Sequence, residues 1–383
     1  MTSRRKFISL IGGGIVVAAG AGAAGFTLTR TPKEAIRPWN NPGASYSDMR
    51  KRFLSYAILA PNPHNQQPWM VDLSRENEIG LYIDKTRLLP HTDPFNRQIT
   101  IGLGCFLELL IQAAAEEGYL AEPLLFPEGQ SPQSLGDEPI AIVNLRKSNT
   151  VAAEPLFRSV LDRRSLKEPF DLNRPVESSV LDHLEKATLE GVFVNSTNVP
   201  RELEALREIS WQAYKIEIQT PRTFKESIDV MRFGKAEINA NPDGIDLGGA
   251  FLETLMFFGM LTRENIGEVG STAYKQGLDM YREMLFSSQG YIWLVTNENQ
   301  REDQINAGRS WVRTNLAATE AGIGIHPISQ ALQEYPEMSD LYQLIHKTLA
   351  PSGGTVQMLG RLGYAPLTPP TPRWSIDHKI KSV

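Results

Sequence analysis

Two segments of this chain, 204 residues apart, follow one pattern. Residues 104–123, GCFLELLIQAAAEEGYLAEP, and residues 308–327, GRSWVRTNLAATEAGIGIHP, share six of twenty positions: Gly104/Gly308, Ala113/Ala317, Ala114/Ala318, Glu116/Glu320, Gly118/Gly322 and Pro123/Pro327. Each reads as an apolar-faced helix stopped by a glycine, where a positive φ ends a helix at low cost. Two copies of such a unit in one chain are expected to pack on each other, as the subunits of a symmetric dimer do. With 383 residues, 41% of them hydrophobic, the chain can bury a core of that size.

The expected class is α+β, with two related halves at 46–150 and 151–383. In the first half the pattern predicts a helix from Tyr46 to about Leu59, strands at 69–73 and 78–84, a helix over 104–118, a loop at 122–139 and a strand at 140–146. In the second it predicts helices at PLFRSVLDRRS (155–165) and VESSVLDHLEKAT (176–188), then a helical region over 201–285 broken at NPDGIDLGG. A strand at 291–296, a helix at 307–322 and a strand at VQMLGRLGYA follow. The stretch 225–270 carries no motif and reads either as a packing insertion or as a lid. The Pro- and Asn-rich residues 31–45 read as a tether.

The first thirty residues, MTSRRKFISLIGGGIVVAAGAGAAGFTLTR, are predicted to be a twin-arginine export signal. Arg4 and Arg5 precede an uncharged run, Ile11–Leu28, of which six residues are glycine. That run is weakly hydrophobic and barely long enough to span a bilayer, so an uncleaved membrane anchor is the alternative. The expected location is the periplasm or another site outside the cytoplasmic membrane. The formal net charge of −5 argues against non-specific nucleic-acid binding. One cysteine, Cys105, cannot form an internal disulfide, and the six histidines show no metal-ligand spacing.

Four short stretches could carry chemistry. In APNPHNQQPW (60–69) two Asn, a His and two Gln lie between Pro61 and Pro68. A stiff loop rich in amides could read a flat heteroaromatic ligand, or simply be a capped turn. In DRRSLKEPFD, Arg163, Arg164, Ser165 and Lys167 suit a phosphate, or form a solvated basic helix end. Gly322 and Gly324 would let the backbone approach a ring closely. Arg373 sits in a Pro-stiffened tail and taken alone reads as a surface residue. No Ser-His-Asp set or carboxylate pair can be argued.

Together these stretches resemble the nitroreductase family of flavin proteins, most closely its exported, Acg-like branch. APNPHNQQPW is similar to that family's A-P-S-x-x-N-x-Q-P-W loop, RRSLK to its R-R-S-x-R/K phosphate motif, TNLAATEAGIGIHP to its late helix and glycine segment, and TPRWSID to its basic C-terminal segment. The resemblance covers roughly residues 46–383. It implies an internally duplicated, monomeric pseudo-dimer that binds FMN and transfers hydride or electrons to an unnamed acceptor. The flavin, not a protein side chain, would carry the chemistry. The first half, with SDMRKRFLSYA, has no clear R-R-S motif; in the second, VFVNSTNVP is at best a worn loop remnant. One FMN per chain, held between the halves, follows from that distribution. The resemblance implies that Arg163, Arg164, Ser165 and Lys167 contact the phosphate and nearby ring edge, with Arg373 closing over the phosphate. Pro61, Asn62, Pro63, His64 and Asn65 would face the ring, and Gly322, Ile323 and Gly324 its reactive edge. Asn62 stands where the family usually has Ser, and Gln67 would only brace the loop. The alternative is a non-catalytic protein that stores FMN, with 225–270 as its closed lid. The export machinery is the one partner implied.

Overall fold

The computed structural model describes residues 30–381. The expected export signal lies outside the described residues.

The first half runs through α1 (Met49–Ala57), β1 (Trp69–Asp72), β2 (Glu78–Ile83), α2 (Arg97–Glu116), β3 (Tyr119–Leu125) and β4 (Ala141–Lys147). The second begins with α3 (Ser178–Glu185) and β5 (Val192–Thr197). An excursion follows through α4 (Pro200–Gln219), α5 (Pro221–Asp229), β6 (Met231–Phe233), α6 (Gly234–Ala240), β7 (Ile245–Leu247), α7 (Ala250–Phe257), α8 (Arg263–Gly267) and α9 (Thr272–Phe286). The chain closes with β8 (Gly290–Thr296), α10 (Arg301–Glu320), β9 (Gly324–Pro327), α11 (Ser339–Leu349) and β10 (Thr355–Gly363). Helices and antiparallel strands are thus mixed in the α+β manner.

The two main sheets have the orders β1-β2-β4-β3 and β5-β8-β10-β9. In each, an edge strand pairs with its successor, a 20-residue helix follows, and the last strand inserts between the second strand and the third. The helices α2 and α10 lie at the same 204-residue offset as the sequence repeat and pack on each other at the centre of the molecule. Gly104 and Gly308 sit at their crossing. A Cβ on Gly104 would run into the carbonyl of Ile305, and one on Gly308 into the carbonyl of Ile101. Those two isoleucines are themselves 204 residues apart. The exchange continues at the helix starts. Arg97 donates to the carbonyls of Gln357 (2.7 Å) and Leu332 (2.6 Å) in the second half. Arg301 donates to those of Ser131 (2.9 Å) and Pro132 (3.3 Å) in the first. Gly118 and Gly322 end the two helices at φ +71° and +66°.

Several sequence expectations need correction. Both central helices begin earlier than their apolar pattern suggests. Asp93 accepts the backbone N–H groups of Gln98 and Ile99, a cap not visible as a motif. Part of the loop expected at 122–139 is strand: β3 includes Pro123, and as an edge strand it tolerates a missing donor. The helix expected at 155–165 is a single 3-10 turn, Pro155–Ser159, followed by irregular backbone. Tertiary contacts outweigh propensity there. The Leu166 N–H donates to Ile325 O, and the Arg361 guanidinium donates to the carbonyls of Leu166 and Glu168. VFVNSTNVP is no loop remnant; its core is β5, hydrogen-bonded to β8. Nor are residues 31–45 a free tether: Ala35 and Trp39 are buried, and Trp39 Nε1 donates to Thr371 O at 2.8 Å.

Candidate functional site

The loop before β1 holds an unusual backbone. His64, Asn65 and Gln67 all have positive φ, at 45°, 52° and 51°. Left-handed conformations at non-glycine residues are costly and persist only where surroundings enforce them. Here the enforcement comes from the loop's own amides. Asn62 Oδ1 accepts from Gln67 N (2.7 Å) and Asn62 Nδ2 donates to Ala60 O (3.1 Å). Gln67, fully buried, donates to Pro242 O (2.7 Å) and accepts from Trp374 N (2.9 Å). Asn65 Nδ2 donates to Pro372 O (3.0 Å). Gly102 of α2 comes close to Asn62 and Pro63: a Cβ there would lie 3.1 Å from Asn62 Cβ. The amide side chains of Asn62, Asn65 and Gln67 are therefore committed to protein partners. His64 is different. Its Nδ1 is enclosed and has no partner.

The cationic residues converge on this loop from far along the chain. Arg373 is buried and donates to the carbonyls of Ile58 (2.8 Å), Leu59 (3.2 Å) and Ala60 (3.0 Å), and to Asn65 Oδ1 (2.6 Å). Arg163, also buried, donates through Nη2 to the same Leu59 carbonyl at 3.1 Å. Its Nε and Nη1 are enclosed without partners. Arg164 donates to Thr368 O (3.1 Å) and Leu161 O (2.8 Å). The three guanidinium groups stand 5.9, 5.1 and 5.6 Å from the ring centre of Trp39. None of the three has a carboxylate within ion-pair distance among the described residues. Burial, reinforced by neighbouring arginine charge, pushes Arg163 down to about 10 and Arg373 down to about 9. Buried guanidinium groups without an ion-pair partner are costly, and here backbone carbonyls supply most of their contacts. Trp39, a lone aromatic in RPWNN, escaped the sequence reading; nothing in its local pattern marks it.

Ser165 is half-buried and Lys167 exposed. The charge of Lys167 acts on two imidazoles. Burial and the Lys167 charge push His64 down to about 4. Burial, Arg361 and Lys167 hold His326 well below the usual imidazole range. Both rings are neutral at physiological pH, and the Nδ1 of His326 accepts from Arg361 Nε at 3.0 Å. The RRSLK segment of the second half and the loop of the first thus share one electrostatic environment.

The three residues of the glycine segment sit in different surroundings. Gly322 is exposed and serves as the stop of α10, while Ile323 is in the core. Gly324 lies against Leu166, Phe170 and the Gly363 carbonyl, so its missing side chain admits protein rather than opening onto a ring. Two cavities stand out elsewhere. One of about 280 Å³ lies by Val176, Leu203 and Gln289, and one of about 410 Å³ by Arg30, Phe233 and Phe257. Neither is lined by the expected site residues. The segment 225–270 is folded, and it covers the loop: Gly244 N donates to Asn65 O (3.1 Å), and Asp243 accepts from Arg87 (2.8 Å) and Trp374 Nε1 (2.7 Å).

A second buried polar cluster lies under α4. Glu217 accepts from Gln333 Nε2 (2.9 Å), and burial pushes its carboxyl up to about 7. A carboxyl whose folded pKa is raised binds its proton more tightly folded than unfolded. Its favourable contribution is intact below about 4.5 and is lost as pH rises to about 7. Glu217→Gln should therefore raise the melting temperature at pH 8 by several degrees and leave it nearly unchanged at pH 4. Equal shifts at both pH values would refute the burial of an ionisable proton here.

No family model matches the chain. It is 24% identical over 339 residues to a Mycobacterium tuberculosis protein named "Putative NAD(P)H nitroreductase acg", covering 86% of this chain and 95% of the relative. A second relative from that organism, "Putative NAD(P)H nitroreductase Rv3131", is 23% identical over 337 residues, covering 86% and 90%. Among solved structures, the FMN-dependent nitroreductase NfnB from Mycobacterium smegmatis, in complex with NADPH, is 18% identical with a TM-score of 0.36, covering 59% of this chain and 96% of that one. A nitroreductase described as putative, from Anabaena variabilis, gives 11% and 0.39, covering 87% and 91%. Both relatives are matched over most of their own length and most of this chain.

Proposed function

We propose that this chain is an FMN-binding oxidoreductase of the nitroreductase type, built as an internally duplicated pseudo-dimer with one flavin site between its halves. The observation that carries this reading is the buried arginine cluster, which has no ion pair among the described residues and two unspent donors on Arg163, beside the Pro61–Pro68 loop. The matched strand orders and the reciprocal contacts of Gly104 and Gly308 support the duplication.

The residues fit a phosphate-bearing group at Arg163. Its Nε and Nη1 would donate to the phosphate, with Arg164 and Lys167 adding positive charge and Trp39 excluding water. Arg373 holds the loop in place and spends its donors on protein. FMN, when bound, supplies reversible uptake and delivery of hydride or electrons. His64, neutral and with Nδ1 unpartnered, can exchange a hydrogen bond with a ligand without bringing charge. The test is anaerobic titration of the purified yellow protein with NADPH and with dithionite. Bleaching of the flavin band by both, and reoxidation by a nitroaromatic, is the expected result. A flavin that dithionite reduces but NADPH and other nicotinamide donors do not would favour the storage reading. That reading draws support from the contacts of Pro242, Asp243 and Gly244 over the loop.

Export by the twin-arginine route remains part of this proposal. It rests on Arg4 and Arg5 before the uncharged run Ile11–Leu28. Changing both arginines to lysine should trap the protein in the cytoplasm, as fractionation and immunoblotting would show. Unchanged export of that variant would rule the route out.

A further inference from the structure

We propose that the tip of α7 is a membrane-contact surface, seated in the lipid interface while the N-terminal apolar run occupies the bilayer. The inference rests on the export or anchor reading of residues 1–30. It concerns a surface that the flavin site does not use.

Of the eight residues of α7, AFLETLMF, only Leu255 is buried. Phe257 is 83% exposed, Phe258 55% and Met260 41%. The two phenyl rings stand edge to face, 5.2 Å apart, and neither joins a core cluster. Adjacent exposed aromatics on a folded surface mark a contact, whereas single exposed apolar residues need no explanation.

Where the chain enters the described structure decides the partner. Arg30 is paired through Nη1 with Glu253 Oε2 of α7, at 3.1 Å. The same cavity of about 410 Å³ is lined by Arg30, Phe233, Lys235, Met256 and Phe257. The uncharged run Ile11–Leu28 ends two residues before Arg30. Two residues reach at most about 7 Å. A bilayer that holds this run would therefore come close to α7. Phenyl rings flanked by basic residues are the composition that settles at the lipid headgroup boundary. During export, and for as long as the run is retained, the folded body would rest on the membrane through Phe257, Phe258 and Met260.

The native thiol of Cys105 is buried, so a fluorophore can be directed to a surface cysteine. The full chain carrying Phe257→Cys is labelled with bimane and mixed with phosphatidylcholine–phosphatidylglycerol vesicles whose phosphatidylcholine has brominated acyl chains. A second protein carries Leu124→Cys on β3, where Leu124 is 57% exposed, as a reference far from α7 in the sequence. The expected result is flotation of both proteins with the vesicles and about two-fold quenching at 257 only, as for a group inserted at the acyl boundary. Flotation without quenching at 257, or with equal quenching at both positions, overturns the proposal and leaves the export reading standing. Failure of the full chain to float overturns the membrane assignment, and the export reading is decided separately by the Arg4 and Arg5 variant. A blue shift at 257 that grows with protein concentration in the absence of vesicles assigns the patch to a second copy of the chain and overturns the membrane assignment.

Discussion

Gly308→Val is expected to destabilise the protein by about 3 kcal/mol, because the crossing of α2 and α10 leaves no room for a side chain. The new atoms would meet the Ile101 carbonyl and the Gly104 Cα, and backbone cannot rotate away as a flexible side chain can. Gly104→Val should cost a similar amount through the Ile305 carbonyl. The double variant should cost clearly less than the sum, since either change already forces the helices apart. Gly277, in α9 with nothing within 4 Å of where a Cβ would stand, gives the contrast. Gly277→Ala should be neutral or stabilise by about 0.5–1 kcal/mol. Urea midpoints at constant slope would measure all four. A tolerated valine at 308 would contradict the close crossing on which the two-half architecture depends.

The second large effect separates a ligand-holding arginine from a structural one. Arg163→Met should change stability little. The variant loses one hydrogen bond, to Leu59 O, and relieves a buried charge with two unpaired donors. Flavin affinity should nonetheless fall roughly 10- to 150-fold, the equivalent of about 1.5–3 kcal/mol for a charge-assisted contact. Arg373→Met should behave in the opposite order. It leaves the Ile58 carbonyl and Asn65 Oδ1 without a donor, while the Leu59 and Ala60 carbonyls keep only Arg163 and Asn62, and it should destabilise by on the order of 2 kcal/mol before any flavin is added. Denaturation of the apoprotein and fluorescence titration with FMN give the two readings independently. Equal loss of stability in both variants, with unchanged FMN affinity in Arg163→Met, would make the cluster purely structural.

The sequence and the structure agree where a local pattern and a tertiary demand coincide. Gly104 and Gly308 were visible as a repeat because the crossing itself requires small residues, and Gly118 and Gly322 because a helix stop requires positive φ. The resemblance implied that Gln67 braces the loop, and Gln67 does hold Pro242 and Trp374. Other features depend on partners distant in the chain and leave no local trace. Arg373 looked like a phosphate ligand, yet its partners are 308 to 315 residues away in the first half. Trp39 sat in what read as a tether, but a ring surrounded by Arg163, Arg164 and Arg373 can be recognised only once those residues are brought together. The residues after Ser159 favour helix by their local pattern, yet their backbone is irregular. Arg361, buried and bonded to the Leu166 and Glu168 carbonyls, holds it otherwise. Gly324 was assigned to a ligand for its lack of a side chain; the space is filled by Leu166 and Phe170.

The flavin content of the purified protein tests the central claim most directly. Among the described residues the amide-braced loop meets an arginine cluster without ion-pair partners once, around Trp39. FMN released by acid and measured against protein concentration should approach one per chain. It should fall toward zero after dialysis of Arg163→Met while the fold is retained. Two FMN per chain would mean that both pseudo-symmetric sites are complete. None, even after refolding with excess FMN, would mean that the cluster around Trp39 serves the fold alone.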